Sequence, residues 1–117
     1  GALAAEIRAG LARAGIADLV EYIVSAEDVP TSKPDPGGFQ LALRRLREAH
    51  GGGAWRAVVI EDSLPGLESA RALGAGCVML TTSHDATLLG GADLVWDSFD
   101  GHTPAELERL WRTVEVA

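Results

Sequence analysis

The stretch AVVIEDSLPGLESARALGAGCVML, residues 57–80, decides the fold. It opens with the apolar run Ala57–Ile60, a pattern typical of a strand that is buried on both faces of a sheet. Leucines and alanines then recur at helical spacing as far as Gly74, and glycine is a residue type that ends helices. A second apolar run, Cys77–Leu80, predicts another buried strand. Strand, helix and strand in this order predict a crossover unit with two parallel strands.

The same alternation extends to both sides of this unit. Further helices are predicted at residues 3–14, 35–50, 86–89 and 103–114, and further strands at residues 19–26 and 93–97. Asp35 is suited to cap the second of these helices, and Thr103 with Glu106 forms a capping box for the last. Short loops and steady alternation predict one α/β domain that is doubly wound on a mostly parallel, Rossmann-like sheet.

Composition excludes several classes of function. The 117 residues are 47% hydrophobic and 23% charged, which is ordinary for a soluble globular domain. Ten basic and 17 acidic residues give a net charge of −7 without a basic cluster, so we expect no nucleic acid as partner. No apolar run approaches the ~20 residues that span a bilayer, so we expect no membrane association. The lone Cys77 predicts a buried thiol and fits a reducing, cytoplasmic setting.

Polar residues follow three of the predicted strands, in the segments 31–36, 61–63 and 81–84. In open parallel sheets, ligands bind beyond the carboxyl ends of the strands. These three segments are therefore where a functional site is expected.

Lys33 is the first candidate. It is the only lysine of the chain, against nine arginines, and the rigid prolines Pro34 and Pro36 restrict the backbone around it. A compact ammonium in a restricted loop suggests a point charge held near an anion. The alternative is a solvated surface lysine in a turn.

Glu61 and Asp62 place two adjacent carboxylates at the end of an otherwise apolar strand. Hard oxygen ligands of this kind suit Mg²⁺, which proteins usually hold with one or two carboxylates plus phosphate and water. The alternative is that Asp62 or Ser63 caps the following helix while Glu61 points to solvent. The two interpretations are compatible.

Two segments carry a resemblance to a known family: SKPDP at residues 32–36 with Phe39, and VVIEDS at residues 58–63 with Gly66 and Ala70. In this order they closely resemble the third and fourth motifs of the haloacid dehalogenase-like hydrolases. The resemblance covers nearly the whole chain, because residues 81–84 and 92–95 also resemble the end of the sugar-phosphate and polyol-phosphate phosphatases and of the β-phosphoglucomutase-like members.

The resemblance implies a Mg²⁺-dependent phosphohydrolase that acts on a small phosphorylated metabolite through an aspartyl-phosphate intermediate. Lys33 would neutralise the nucleophile and the transferred phosphoryl group, and Glu61 and Asp62 would help to bind the metal. These three side chains are then expected to converge at one edge of the sheet. Four neighbours are expected to shape the site: Ser32, Pro34, Ser63 and Gly66.

The chain departs from the family in one respect, since no Asp-x-Asp triplet occurs in it. The resemblance therefore implies that residues 1–117 are the carboxyl-terminal part of a core domain, with an incomplete sheet whose first two strands and cap would precede residue 1. Without the nucleophilic aspartate, we expect the chain alone to be inactive. The missing amino-terminal part of the same protein is then a natural partner.

Three alternatives stay open at this point. A phosphomutase of the same family would use the same residues, and a non-catalytic binding or interaction fragment would use none of them. A phosphorylation-controlled receiver domain also combines an acidic pair with a Lys-Pro loop. There the acidic pair comes first along the chain, whereas here Lys33 precedes Glu61, so the order of the motifs argues against it.

Overall fold

The computed structural model describes residues 2–81 and 90–115 of the chain. It contains two compact units, Gly1–Gly53 and Ala54–Ala117. Every helix of the described residues is too short or too polar to cross a bilayer. The predicted helix at residues 86–89 and residues 82–84 of the third polar segment lie outside the described residues.

The first unit contains the helices α1 (Ala4–Ala14) and α2 (Gly37–Ala49). Helix α1 ends at Gly15, whose φ of 72° is the left-handed conformation that glycine adopts without strain. The residue that caps α2 is Pro36 rather than Asp35, which stands one position earlier. Asp35 still satisfies a backbone donor at the start of the helix, because its Oδ1 accepts a hydrogen bond of 2.8 Å from the amide of Gly37.

The prediction of a strand at residues 19–26 is wrong. The segment consists of a short 3-10 helix, Ala17–Leu19, an irregular stretch at residues 20–25, and a second 3-10 helix, Ala26–Asp28. A strand exists only where a neighbouring strand takes up its amides and carbonyls, and the sheet of the described residues consists of three later strands. The β-branched and aromatic pattern indicates apolar character but does not show whether such a neighbour is present.

The second unit contains the sheet, made of β1 (Val58–Glu61), β2 (Gly76–Leu80) and β3 (Leu94–Trp96). The strands lie in the order β1-β2-β3, and both neighbouring pairs are parallel. Helix α3 (Leu64–Leu73) connects β1 to β2, and helix α4 (Pro104–Thr113) follows β3. The predicted crossover unit and the mostly parallel sheet are confirmed.

The core of the second unit lies on β2 and α3. Cys77, Val78 and Met79 of β2 are fully buried, and Leu67 and Ala70 of α3 are buried with them. Strand β1 differs from the prediction of burial on both faces, since its residues are half-buried and Ile60 is 40% exposed. A run of apolar residues identifies the strand, but how far its faces are covered depends on the elements packed there.

Candidate active site

The acidic pair lies at the carboxyl end of β1, as the sequence predicts. Glu61 is the last residue of the strand and is half-buried, whereas Asp62 follows it and is exposed. The Glu61 Oε1 accepts a hydrogen bond of 3.2 Å from the amide of Asp62. Because β1 is parallel to its neighbour, this pair lies at the same edge of the sheet as the carboxyl end of β2.

Ser63 caps helix α3, which confirms one part of the structural alternative. Its Oγ accepts a hydrogen bond of 3.1 Å from the amide of Gly66, and its backbone is extended, as is usual for such a cap. The capping role therefore belongs to Ser63 and not to Asp62. The other part of that alternative, a Glu61 side chain pointing to solvent, does not fit the half-buried position of Glu61.

Gly66 is buried in the first turn of α3. A Cβ atom at this position would overlap the Cγ, Cδ and Oε2 atoms of Glu61. The end of the Glu61 side chain thus lies directly against this turn of the helix. Amides at the start of a helix favour a nearby negative charge.

The Lys33 loop belongs to the first unit and is exposed from Thr31 to Asp35. The amide of Asp35 donates a hydrogen bond of 3.1 Å to the carbonyl of Ser32, which closes a turn around Lys33 and Pro34. The peptide bond between Lys33 and Pro34 is cis. Ser32 and Pro34 thus define the backbone that carries the lysine.

The Lys33 ammonium is 4.9 Å from the centroid of the Phe39 ring in helix α2. This is a cation–π contact, in which the negative face of the ring attracts the charge. The lysine is exposed and makes this contact with the helix that follows its turn. Phe39 belongs to the segments that resemble the family but is not a predicted site residue. The sequence feature that could have identified Phe39 is an aromatic residue six positions after the lysine, on the first turn of the predicted helix.

Lys33 lies in one compact unit and the acidic pair in the other. Their convergence at one site stays a prediction. Within residues 2–81 and 90–115, no three or more His, Cys, Asp or Glu side chains come together as a metal site. The described chain thus offers an acidic pair as oxygen ligands and not a complete set of protein ligands.

The carboxyl end of β3 carries further polar contacts. The Thr81 Oγ1 donates a hydrogen bond of 3.2 Å to Asp97 Oδ1, which connects the ends of β2 and β3. The His102 ring stacks on Trp96 with the ring centroids 3.9 Å apart. Glu106 accepts a hydrogen bond from the amide of Thr103, which lowers the pKa of its carboxyl group. These contacts stabilise the loop that leads into α4.

Comparison with known proteins gives the following matches. A family model described as haloacid dehalogenase-like hydrolase matches residues 1–74. Validoxylamine A 7'-phosphate phosphatase from Streptomyces hygroscopicus subsp. limoneus is 37% identical over 81 residues, which cover 69% of this chain and 36% of that protein. 2-Deoxyglucose-6-phosphate phosphatase 2 from Saccharomyces cerevisiae is 36% identical over 80 residues, which cover 64% of this chain and 32% of that protein. The chain spans about a third of the length of these curated relatives.

A solved structure is also similar. The crystal structure of a HAD hydrolase of family IA, variant 3, from Entamoeba histolytica has a TM-score of 0.77 to this chain at 18% identity. The match covers 97% of this chain and 51% of that one. At this level of identity the likeness concerns the fold, and it confirms the predicted α/β class.

Proposed function

The chain belongs to the haloacid dehalogenase-like hydrolase family, and from that premise we propose that it carries the metal-binding and charge-neutralising part of a phosphatase. The observation that carries this proposal is the acidic pair Glu61 and Asp62 at the carboxyl end of β1. Ligands bind at this edge of a parallel sheet, and the pair lies where β1 ends. In this proposal residues 1–117 are the carboxyl-terminal part of a core domain and work in a cytoplasmic setting.

The proposed substrate is a small phosphorylated metabolite. Support comes from the two curated relatives, whose names identify them as phosphatases of a validoxylamine phosphate and of a deoxyglucose phosphate. The net charge of −7 gives no general attraction for a phosphorylated molecule, so a local positive charge has to do so. Lys33 is the residue proposed for this.

Mg²⁺ is the proposed cofactor, and the donor set fits it. Glu61 and Asp62 supply carboxylate oxygens, the ligands that Mg²⁺ prefers, and this ion usually keeps several positions for water and phosphate. When bound, it would offset the negative charge that phosphoryl transfer concentrates on the phosphate oxygens. The Asp62 amide and the first turn of α3 hold Glu61, while Asp62 is exposed at the sheet edge.

Lys33 would place its ammonium on the phosphate group. As a point charge it can follow a phosphoryl group as its geometry changes during transfer. The Phe39 ring beneath the ammonium and the turn between Ser32 and Asp35 restrict where the charge can go. Such restriction lowers the entropy lost when the lysine is fixed on a ligand.

The nucleophile of the proposed aspartyl-phosphate route has to come from outside these 117 residues, because no Asp-x-Asp triplet is present in them. The test compares the 117-residue chain with a Lys33→Ala, Asp62→Ala double variant, using p-nitrophenyl phosphate and Mg²⁺. We expect the two to hydrolyse the ester at the same background rate. Turnover by the unaltered chain that the double variant lacks would contradict the assignment of the nucleophile to another segment.

The metal site is tested separately from turnover. Mn²⁺ can replace Mg²⁺ in such sites and broadens the NMR signals of nearby amides. We expect broadening of the amides of residues 61–63, and its loss in Asp62→Asn. The matched control is Asp35→Asn, which changes an exposed aspartate of the other unit and should leave the broadening unchanged. Equal broadening in Asp62→Asn and in the unaltered chain would contradict the proposed metal site.

A further inference from the structure

We propose that Gly66 is a positioning residue. Because glycine has no side chain, the first turn of α3 leaves room for the end of the Glu61 side chain, and the Glu61 carboxylate stays in place beside Asp62. The effect of this placement on metal binding rests on the proposed function, because that function supplies the metal site. The placement of Glu61 itself stands on the geometry alone.

The space beside Gly66 is filled by another residue. Gly66 is a buried residue in the first turn of α3, and its amide donates a hydrogen bond of 3.1 Å to the Ser63 Oγ. A Cβ at this position would overlap three atoms at the end of the Glu61 side chain, the Cγ, Cδ and Oε2. The carboxylate therefore occupies the volume that any residue other than glycine would need.

Two other helical glycines, Gly10 and Gly38, do not have this property, whereas a Cβ at Gly37 would lie 2.8 Å from the Asp35 Oδ1. A Cβ at Gly10 in α1, or at Gly38 in α2, would meet no atom within 4 Å. Gly66 itself does not have a positive φ. The requirement for glycine at position 66 thus comes from the contact with Glu61, and not from the backbone conformation of helices in this chain.

The overlap involves the Cγ, Cδ and Oε2 atoms of a flexible side chain and no backbone atom among those three. An alanine at this position can be accommodated when Glu61 rotates away, without a shift of the α3 backbone. Alanine also has a higher helix propensity than glycine, which favours the folded helix. The substitution therefore separates a positioning role from a structural one, because it moves a carboxylate and leaves the fold intact.

The placement of Glu61 matters for a metal ion because two carboxylates bind it better than one. Glu61 is fixed at two points, by the Asp62 amide at 3.2 Å and by its packing against Gly66. A rotated Glu61 would leave Asp62 as the one carboxylate of the pair that faces the metal. Changes in the residues that orient metal ligands typically lower metal affinity by about 10- to 100-fold.

The first experiment requires no metal. In the unaltered chain we expect a nuclear Overhauser contact between the Glu61 Hγ and Gly66 Hα protons. In Gly66→Ala we expect a loss of the contact between Glu61 and position 66, a shift of the Asp62 amide signal, and a melting temperature that is unchanged or higher. Gly38→Ala is the matched control and should leave the Asp62 signal in place. An absent contact in the unaltered chain, or an unaltered Asp62 signal in Gly66→Ala, would overturn the placement.

The second experiment repeats the Mn²⁺ titration on these variants. We expect Gly66→Ala to weaken binding about tenfold, as Glu61→Gln does, and the double variant to be no weaker than either. Binding that is equal in Gly66→Ala and in the unaltered chain would overturn the positioning role. An absence of Mn²⁺ binding in the unaltered chain and in every variant would contradict the proposed metal site instead. The first experiment would still decide where Gly66 places Glu61.

Discussion

The two units of the chain are ordered by different kinds of contact. In Ala54–Ala117 the central strand β2 is buried up to its half-buried last residue, Leu80, and Cys77, Val78 and Met79 have no exposed surface. In Gly1–Gly53 the helices α1 and α2 contain no buried residue, and among residues 2–53 only Ser25 is buried. The acidic pair thus stands on a packed sheet, whereas Lys33 stands on a unit without an apolar core of its own.

Polar contacts take the place of a core in the first unit. The Asp28 Oδ2 accepts hydrogen bonds from the Ser25 amide at 2.8 Å and from the Ser25 hydroxyl at 3.1 Å. The Glu27 Oε1 accepts a bond of 2.8 Å from the amide of Ala4, which ties the start of α1 to this segment. Contacts of this kind are directional but individually weak, because water competes for the same groups.

The largest expected effect is that of a cavity in the core of the second unit. Met79→Ala should lower the free energy of unfolding by about 2–5 kcal/mol, because a fully buried side chain is lost and a cavity remains. Leu19→Ala in the first unit should change it by less than ~0.5 kcal/mol, because Leu19 is 82% exposed. Urea unfolding measures both variants. Equal losses would show that the first unit is as tightly packed as the second.

The next prediction concerns the rate at which the buried Cys77 of the same core is alkylated. Burial raises the pKa of Cys77 to about 11 from its ordinary value of 9.0, and the thiolate is the form that reacts. Iodoacetamide at pH 8 should therefore alkylate Cys77 about 100-fold more slowly than an exposed thiol. Leu19→Cys in a Cys77→Ser background supplies that exposed thiol. Similar rates for the two would contradict a tightly closed core around β2.

Patterns within the sequence predicted the second unit well. The run at residues 57–80 predicts two strands and a helix that starts after Asp62 or Ser63 and ends at Gly74, and α3 has its caps at Ser63 and Gly74. These features depend on neighbours along the chain, and local propensity and capping report on such neighbours. The strand predicted at residues 19–26 depends instead on a partner strand, which no local pattern contains.

The candidate site shows the same division. Ser63 as a cap and Glu61 with Asp62 at a strand end follow from the sequence, because each depends on a residue type next to a recognisable element. The overlap between Gly66 and Glu61 depends on the rotamer of Glu61, which sequence patterns do not determine. The contact between Lys33 and Phe39 likewise depends on how the turn directs the lysine.

The smallest expected effect concerns the pH dependence of the first unit. The hydrogen bond from the Ser25 amide, followed by that from the Ser25 hydroxyl, holds the pKa of Asp28 below its ordinary value of 3.8. A carboxyl group with a lowered pKa in the folded state stabilises that state above the pKa of the unfolded chain. This contribution is lost as the pH falls through the lowered pKa.

The Ser25 amide signal should therefore titrate with a midpoint below 3.8 and become independent of pH in Asp28→Asn, while the Met79 amide in β2 shows no such step. A midpoint at or above 3.8 would mean that Ser25 does not hold the carboxylate, and that the first unit is not ordered by this contact.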